Sequence, residues 1–339
     1  MNSPLVTPSP LGEPLTPLSV AHSMTQLQVP VTAAMTNTAT GIMQPAELLK
    51  LIDVAGCVPA KRHLGTGADP VTASLDRMNY HAPVHAWDIV MLDARMTQVW
   101  RTSMETRVVV TAWSFRTGEH RLIATAYLVA VAMQAGGQGK LPAQCVAPLL
   151  PITPEDHWLR HSAERRRSFR REEAHQAQWL AIDATQGDTS AEISQPMTAA
   201  DGNGLGDAVF GGVILAAMHQ AACTAIEQAM QGQQTILVRQ DRTDFIAPAR
   251  IGDMLRCQAT LTHTWRTSAE VQVDCLAHDP RQPDALPRLV ATTYMVFVGL
   301  STANEPCRLP EWQPSTPRQH QRSQAAQVRR RCRQNEELF

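Results

Sequence analysis

The tetrapeptide Trp100-Arg101-Thr102-Ser103 returns later in the chain as Trp265-Arg266-Thr267-Ser268, at an offset of 165 residues (265 − 100). Flanking residues return at the same offset: Asp76, Arg77, Pro83, Asp88 and Glu105 match Asp241, Arg242, Pro248, Asp253 and Glu270. A period of this length exceeds that of solenoid repeats and fits a small domain. The chain therefore contains two fused copies of one domain.

The composition is that of a globular chain with two ordinary cores. Its 339 residues are 44% hydrophobic, and no apolar run approaches the roughly 20 residues that span a bilayer. A formal net charge of −1 gives no electrostatic reason to expect nucleic acid as a partner. The seven cysteines show no C-x-x-C spacing and are odd in number. They favour reduced thiols in a cytoplasmic compartment over a zinc site or a disulfide framework.

The expected domain order follows from the repeat and from shifts in composition. A tail rich in Pro, Ser and Thr is predicted to be disordered over residues 1–30. The first basic residue is Lys50, which argues against a secretory signal or a transit peptide in this tail. The remaining segments are a first domain over 31–150, a charged helical linker over 151–195, a second domain over 196–312 and a basic tail over 313–339.

Each copy has the same internal order of one helix followed by strands. A helix is predicted over 45–62 in copy one and 213–230 in copy two, and its nearly all-round apolar surface predicts burial. Alternating and β-branched residues predict strands over 71–76, 89–99, 104–115 and 122–133, and again over 235–241, 254–264, 269–277 and 289–300. One buried helix followed by an antiparallel meander predicts a sheet curled round that helix. This α+β arrangement is the hotdog fold, and two copies predict a double hotdog.

Several stretches resemble the tandem-hotdog acyl-CoA thioesterases in their order, spacing and duplication. They are LLKLID at 48–53, VTASLD at 71–76, TSME at 102–105, FGG at 210–212, and residues 241–248. The resemblance extends from about Ala39 to Pro310. It implies hydrolysis of an acyl-CoA to a carboxylic acid and CoA between the two domains, in fatty acid metabolism. It also implies a homo-oligomer that uses water directly, without metal or organic cofactor.

Thioester hydrolysis needs hydrogen-bond donors where negative charge develops. A Gly-Gly pair that opens a buried helix can supply them, because its N–H groups lie at the positive end of the helix dipole and no Cβ blocks the substrate. Only copy two has this pair, Gly211-Gly212, whereas copy one has Pro45-Ala46. Since Pro45 has no N–H, we expect the donors to be the amides of Gly212 and Val213.

The resemblance also implies a carboxylate or amide before the Gly-Gly pair and another on the helix of the partner domain. Asp207 is the loop candidate, although an ungapped alignment puts Ala208 in that position. On the helices, Asp53 is the candidate base or water-orienting group. The expected composite site joins Asp53 to Asp207 and Gly211-Gly212.

The reciprocal site is expected to be inactive. It would join Ile42 and Pro45 to His219, which stands at the position of Asp53 in copy two. Structural interpretations stay open as well. A single Asp in an apolar helix is commonly a hydrogen-bonded structural residue or cap, a loop Asp commonly makes a local turn, and paired glycines can serve close helix packing.

Further candidates for substrate contact begin a strand in each copy. Arg101-Thr102-Ser103 and Arg266-Thr267-Ser268 line the CoA or acyl channel or, alternatively, form a cross-strand packing motif. Trp100 and Trp265 either stack on adenine or pack in the core. Two arginine clusters end the copies, at residues 165–171 and 329–333. They are either solvated helical faces or contacts to the phosphates of CoA.

The rival function is a non-catalytic acyl-CoA-binding or regulatory protein that kept the fold and lost the chemistry. His63, His81 and His85 lack the spacing of a metal site. The absence of a Gly-x-Ser-x-Gly motif disfavours a serine esterase.

Overall fold

The computed structural model describes residues 15–38, 40–134, 143–180, 190–202 and 207–336. The elements of the first half are β1 (Leu18–Ser19), α1 (Val20–Ser23), β2 (Thr25–Pro30), α2 (Pro45–Leu64), β3 (Ala68–Leu75), β4 (Met78–Asn79), β5 (Asp88–Val99), β6 (Ser103–Ser114), β7 (His120–Gln134), β8 (Leu149–Leu150) and α3 (Pro154–Leu180). Those of the second half are β9 (Ala191–Pro196), α4 (Gly211–Ala229), β10 (Thr235–Gln240), β11 (Thr243–Phe245), β12 (Met254–Thr264), β13 (Ser268–His278), β14 (Arg288–Gly299) and α5 (Pro317–Glu336).

Each half wraps an antiparallel sheet round one buried helix, so the predicted double hotdog is confirmed. In the first half Leu49 and Ile52 of α2 pack into one core with Leu92 of β5. In the second half Met218 of α4 packs with Phe297 of β14. The helix α2 begins at Pro45, as predicted, and ends before Gly65, whose φ of 67° is a conformation that glycine adopts without strain.

The two halves share one continuous sheet. Among the described residues, twelve strands are connected, and the main path runs β2-β5-β6-β7-β3-β11-β14-β13-β12-β9. The halves meet where β3 pairs with β11, with Leu75 opposite Thr243. The helices α2 and α4 pack against each other on the inner side of this junction. The N-terminus of each helix therefore lies against the helix and strands of the other half.

Two predicted domain boundaries are wrong. The strand β2, Thr25–Pro30, pairs with β5 and belongs to the first sheet, although the sequence predicted a disordered tail as far as residue 30. Residues 1–14 of that tail lie outside the described residues. The strand β9, Ala191–Pro196, pairs with β12 and belongs to the second domain rather than to the linker. Exposed residues alternate with half-buried or buried ones along both strands, and the two strands lie at the ends of the sheet path.

The predicted linker and basic tail contain the long helices α3 and α5, which hold arginines against buried carboxylates. Arg166 of α3 donates to Glu105 at 2.6 Å, and Arg329 of α5 donates to Glu270 at 2.6 Å. Both glutamates are buried, and these arginines hold the pKa of each below its usual range against the opposing effect of burial. Arg166 and Arg329 therefore fasten α3 and α5 to the sheet.

In the part of the chain that the structure describes, no helix has the length and apolar character needed to cross a membrane. All seven cysteines are unpaired thiols.

Candidate active site

Asp53 lies on α2 at the interface of the two domains. It is fully buried, yet its carboxylate has two hydrogen-bond donors. The amide of Gly212, at the start of α4, donates to Oδ2 over 2.6 Å. The hydroxyl of Thr72, on β3, donates to Oδ1 over 2.9 Å. Asp53 is therefore held by its own helix, the adjoining strand and the helix of the other domain.

Burial dominates the ionisation of Asp53. Removal from water raises the pKa of its carboxyl from 3.8 to about 6, although the hydrogen bonds from Thr72 and Gly212 oppose the rise. A carboxylate with a pKa near 6 is ionised at neutral pH and is a stronger base than an exposed aspartate. That property suits a group that takes a proton from water.

Thr72 is a site residue that the sequence analysis did not single out. Its hydroxyl contacts Asp53 and lies 3.6 Å from Sγ of Cys57, one turn further along α2. The signal was present in the repeat, because the residue 165 positions later is Leu237, which cannot hydrogen-bond. Polar residues at both Asp53 and Thr72 thus occur in only one copy.

The two glycines that open α4 allow the close approach of the domains. A Cβ at Gly212 would lie 2.9 Å from Cα of Lys50 and 3.2 Å from Cβ of Asp53. A Cβ at Gly211 would lie 2.9 Å from Oδ2 of Asp53 and 3.3 Å from the ring of Phe245. Since real Cβ atoms do not approach so closely, both positions require glycine for packing as well as for any chemistry.

The amides of Gly212 and Val213, which we expected to be the oxyanion donors, both have acceptors within the protein. The N–H of Gly212 is directed to Asp53, and the N–H of Val213 donates to the carbonyl of Phe210 over 3.1 Å. The first turn tightens in this way because its N–H groups have no helical partners of their own. Within the described residues the N–H of Gly211 has no such partner. Gly211 is therefore the donor that the helix leaves available.

The expected partnership of Asp207 with Asp53 is not formed. The side chain of Asp207 is 60% exposed and lies 3.3 Å from Nη1 of Arg250. Its backbone carbonyl accepts from Ile251, and the neighbouring Ala208 bridges to Arg250. Asp207 and Ala208 thus both contact the segment at Arg250–Ile251. Residues 203–206 of this loop lie outside the described residues.

The reciprocal site differs from the first at Asp53, Thr72 and Gly211, where it has His219, Leu237 and Pro45. His219 occupies on α4 the place of Asp53, and its burial lowers the pKa to about 4, so the ring is neutral at pH 7. Its Nε2 lies 3.4 Å from Sγ of Cys223. Ile42, Pro45 and Leu237 line an apolar cavity of about 40 Å³ at the start of α2. This site has no carboxylate and no amide hydrogen at the first helical position, which Pro45 occupies.

The predicted substrate residues divide between a groove and the surface. Ser103 lines a groove of about 310 Å³ beside β3, together with Ser74, Trp100 and several arginines. Arg101 is exposed, Thr102 is half-buried, and their carbonyls accept from Val146 and Ala132.

In the second copy Arg266 is exposed, whereas Thr267 and Ser268 are half-buried. The carbonyls of Arg266 and Thr267 accept from Leu309 and Gly299. The backbone carbonyls of each segment thus accept hydrogen bonds at the start of a strand.

Arginines of α3 and α5 stack on the tryptophans that precede these segments. The guanidinium of Arg167 lies 4.5 Å from the ring centre of Trp100, and that of Arg330 lies 4.6 Å from that of Trp265. Stacking on arginine occupies one face of each indole. Across the ranges that the structure describes, no cluster of three or more His, Cys, Asp or Glu side chains is arranged to hold a metal ion.

A family model described as the thioesterase superfamily matches this chain twice, over residues 40–114 and 206–283. The second match contains the glycines of α4, and the first contains Asp53 and Thr72. Each match therefore supplies one side of the composite site.

Two relatives are similar to this chain in sequence. The acetyl-coenzyme A thioesterase of Rattus norvegicus is 26% identical over 309 residues, which cover 86% of this chain and 54% of that protein. A Bacillus subtilis (strain 168) protein, the uncharacterized acyl-CoA thioester hydrolase YkhA, is 33% identical over 135 residues, covering 40% of this chain and 75% of that protein. The chain spans about half the length of the mammalian relatives that it matches.

Among solved structures, the 12:0-ACP thioesterase from Umbellularia californica superposes with a TM-score of 0.53. The superposition covers 82% of this chain and 94% of that one, at 11% sequence identity. At this identity the similarity is one of fold, and it extends across both halves of the chain.

Proposed function

This chain belongs to the thioesterase superfamily, and we propose that it hydrolyses an acyl-CoA thioester to a free carboxylic acid and CoA at one composite site between its domains. The observation that carries the proposal is the buried Asp53 carboxylate, held by Thr72 and by the amide of Gly212. A buried, ionisable carboxylate at the mouth of a helix is costly for stability, and such groups concentrate at catalytic sites.

The chemistry uses water as the nucleophile. Asp53 takes one proton from a water molecule as the water oxygen attacks the thioester carbonyl carbon. The resulting tetrahedral intermediate carries its negative charge on the former carbonyl oxygen. Its collapse breaks the carbon–sulfur bond, and the CoA thiolate leaves and takes the proton from Asp53. Asp53 is thereby regenerated, and all atoms of water are found in the products.

The positive end of α4 stabilises the intermediate. The N–H of Gly211 lies at this helix end, beside Asp53, and without a Cβ it permits close approach of the carbonyl oxygen. The N–H of Gly212 contributes indirectly, because its hydrogen bond orients Asp53. In this assignment Gly211 is the oxyanion donor, Gly212 positions the base, and Asp207 has no part in the chemistry.

The proposal is tested by release of free thiol from short, medium and long acyl-CoA substrates by the full chain, with and without a chelator. We expect turnover with at least one chain length and no effect of the chelator. Tight CoA binding without turnover of any substrate would instead identify a non-catalytic acyl-CoA-binding protein. The apolar lining of the cavity at Ile42, Pro45 and Leu237 supports the proposal that the reciprocal site is inactive.

We also propose that the chain associates with further copies of itself. Light scattering tests this by measuring the molar mass in solution. Large apolar side chains, including Trp87 and Phe115, are exposed on the first domain, and such side chains are a feature of protein interfaces.

A further inference from the structure

A groove of about 310 Å³ is lined by Ala73 and Ser74, the two residues that follow Thr72 on β3. Its floor contains Ser74, which follows Thr72 by two residues on β3, and Ser103 at the start of β6. Trp100 forms one wall. The volume falls within the range of small-molecule sites. The groove therefore begins next to the residues proposed for catalysis and is large enough for part of a substrate.

The groove carries an excess of positive charge. Four arginines line it, Arg167, Arg170 and Arg171 from α3 and Arg242 from the second domain, against a single carboxylate, Asp244. Within the described residues neither Arg167 nor Arg171 forms an ion pair. Burial and the neighbouring Arg171 and Arg170 lower the pKa of Arg167, although the charge of Glu164 opposes the shift.

Arg242 gives the groove its fixed shape across the two domains. Its guanidinium donates to the carbonyl of Arg170 over 2.7 Å and pairs with Asp244 at 2.6 Å. Arg170 in turn is held by Asp76 and Glu105. Two of the arginines are thus fixed by carboxylates, and the other two extend into the groove.

The repeat-related position in the second copy is occupied by the protein itself. The counterpart of Ser74 is Arg239, which is 8% exposed and lies 3.2 Å from Asp241. The charges of Arg333 and Arg77, the counterparts of Arg170 and Arg242, act on Arg239. An arginine side chain thus stands where the first copy has a serine and open space.

Charge does not distinguish the two copies. Gln334 replaces Arg171 at the matching place in α5, which removes a positive charge, and Asn79 replaces Asp244, which removes a negative one. The difference between the copies is the arginine side chain that stands at position 239 in place of a serine. The open groove adjoins the polar residues Asp53 and Thr72, whereas the filled one adjoins Leu237, of the site that has lost its polar groups.

We propose that this groove binds the phosphates of the CoA moiety, and that the chain has one such groove because Arg239 occupies the other. The inference rests on the proposed function, and it names the part of the substrate that the protein recognises. Guanidinium groups bind phosphate oxygens in bidentate pairs, and the hydroxyls of Ser74 and Ser103 add donors. A substrate that carries the nucleotide is thereby preferred over a bare pantetheine thioester.

The first experiment compares two variants that lose the same stacking contact. Arg167→Gln removes a charge from the open groove, and Arg330→Gln removes its counterpart from the filled one; each loses a cation–π contact with a tryptophan. The measured quantity is the ratio of kcat/KM for an acyl-CoA to that for the same acyl-pantetheine. For Arg167→Gln we expect the ratio to fall about tenfold or more, since one charge-assisted contact is lost. Arg330→Gln should leave the ratio unchanged, and equal ratios in both variants would overturn the proposal.

The second experiment fills the open groove in the way that the second copy does. Ser74→Arg places at β3 the residue that the repeat has at position 239. We expect the same ratio to fall at least as far as in Arg167→Gln. An unchanged ratio in a folded Ser74→Arg variant, verified by circular dichroism, would show that the groove does not hold the nucleotide.

A binding measurement separates this inference from the proposed hydrolysis. Titration calorimetry of the full chain with adenosine 3′,5′-bisphosphate, pantetheine and inorganic phosphate requires no turnover. We expect the bisphosphate to bind, Arg167→Gln to weaken its binding about tenfold or more, and pantetheine to bind weakly to both proteins. Inorganic phosphate binding as tightly as the bisphosphate would identify a general anion site instead. Loss of hydrolysis with retained bisphosphate binding would contradict the enzyme assignment and leave the groove assignment standing.

Discussion

Gly212 of the second domain donates its amide hydrogen to the carboxylate of Asp53 in the first, over 2.6 Å from N to Oδ2. The bond can form because Gly212 has no Cβ to hold α4 away from α2. It gives a buried charge one of its two donors, and it connects the chemistry of one copy to the helix end of the other. Fusion of the two copies is therefore part of how the site is built.

Asp53→Asn should stabilise the protein at neutral pH while removing its activity. The folded-state pKa of about 6 exceeds the usual 3.8, so the native state binds this proton more tightly than the unfolded state. The contribution of Asp53 to the free energy of unfolding is fully present below pH 3.8 and is lost as the pH rises through about 6. The substitution should restore about 3 kcal/mol at pH 8 and lower turnover by about 10²-fold or more. Thermal melts at pH 8 and pH 3.5 test the sign, because the two proteins should differ only at the higher pH.

Thr72→Val should shift the pH dependence of activity upward. The hydroxyl of Thr72 lowers the pKa of Asp53 against the larger effect of burial, so its removal raises that pKa further. For the unaltered protein we expect kcat/KM to rise through about pH 6 and to level above it, because the base must be ionised. In Thr72→Val the rise should lie at higher pH. An unshifted midpoint with lowered kcat would assign Thr72 to substrate contact.

Gly212→Ala should lose both stability and activity. The added methyl would lie 2.9 Å from Cα of Lys50, a backbone atom that moves only with its helix, and overpacking of this kind costs about 1–3 kcal/mol. Gly56→Ala is the control, because its methyl meets only the flexible end of Leu128 and gains up to about 1 kcal/mol of helix propensity. Denaturant unfolding and turnover should be affected much less in the control. Equal losses in the two variants would show that the contact between α2 and α4 is not tight.

The sequence predicted the central helix of each copy and eight strands to within about three residues, because apolar periodicity is a local property. It missed the edge strands β2 and β9. It also singled out Asp53, since the two copies differ there. The partners of the arginines could not be predicted. Arg166 meets Glu105 across 61 residues, and only the curvature of the sheet brings α3 back over β6. Val213 was misassigned because the tight first turn of α4 uses its N–H.

His219→Ala should leave most of the activity intact. The ring is buried beside Cys223, in the interdomain site where Pro45 of the other copy takes the place of the glycine pair. Truncation leaves a cavity, so we expect a loss of a few kcal/mol of stability with kcat/KM at 20 °C nearly unchanged. Turnover reduced as far as in Asp53→Asn would show that both interdomain sites are active.

Asp207→Ala tests the one loop residue whose sequence assignment and structural position disagree. Its carboxylate is 60% exposed and faces Arg250 at 3.3 Å rather than Asp53. An exposed ion pair contributes about 0–1 kcal/mol, so both the melting temperature and turnover should stay close to those of the unaltered protein. Arg250→Ala is the matched control, because it removes the other half of the same pair and should behave alike. If Asp207 instead moves to the bound substrate, Asp207→Ala alone loses activity while Arg250→Ala keeps it. That outcome would return Asp207 to the catalytic group and would make loop closure part of the reaction.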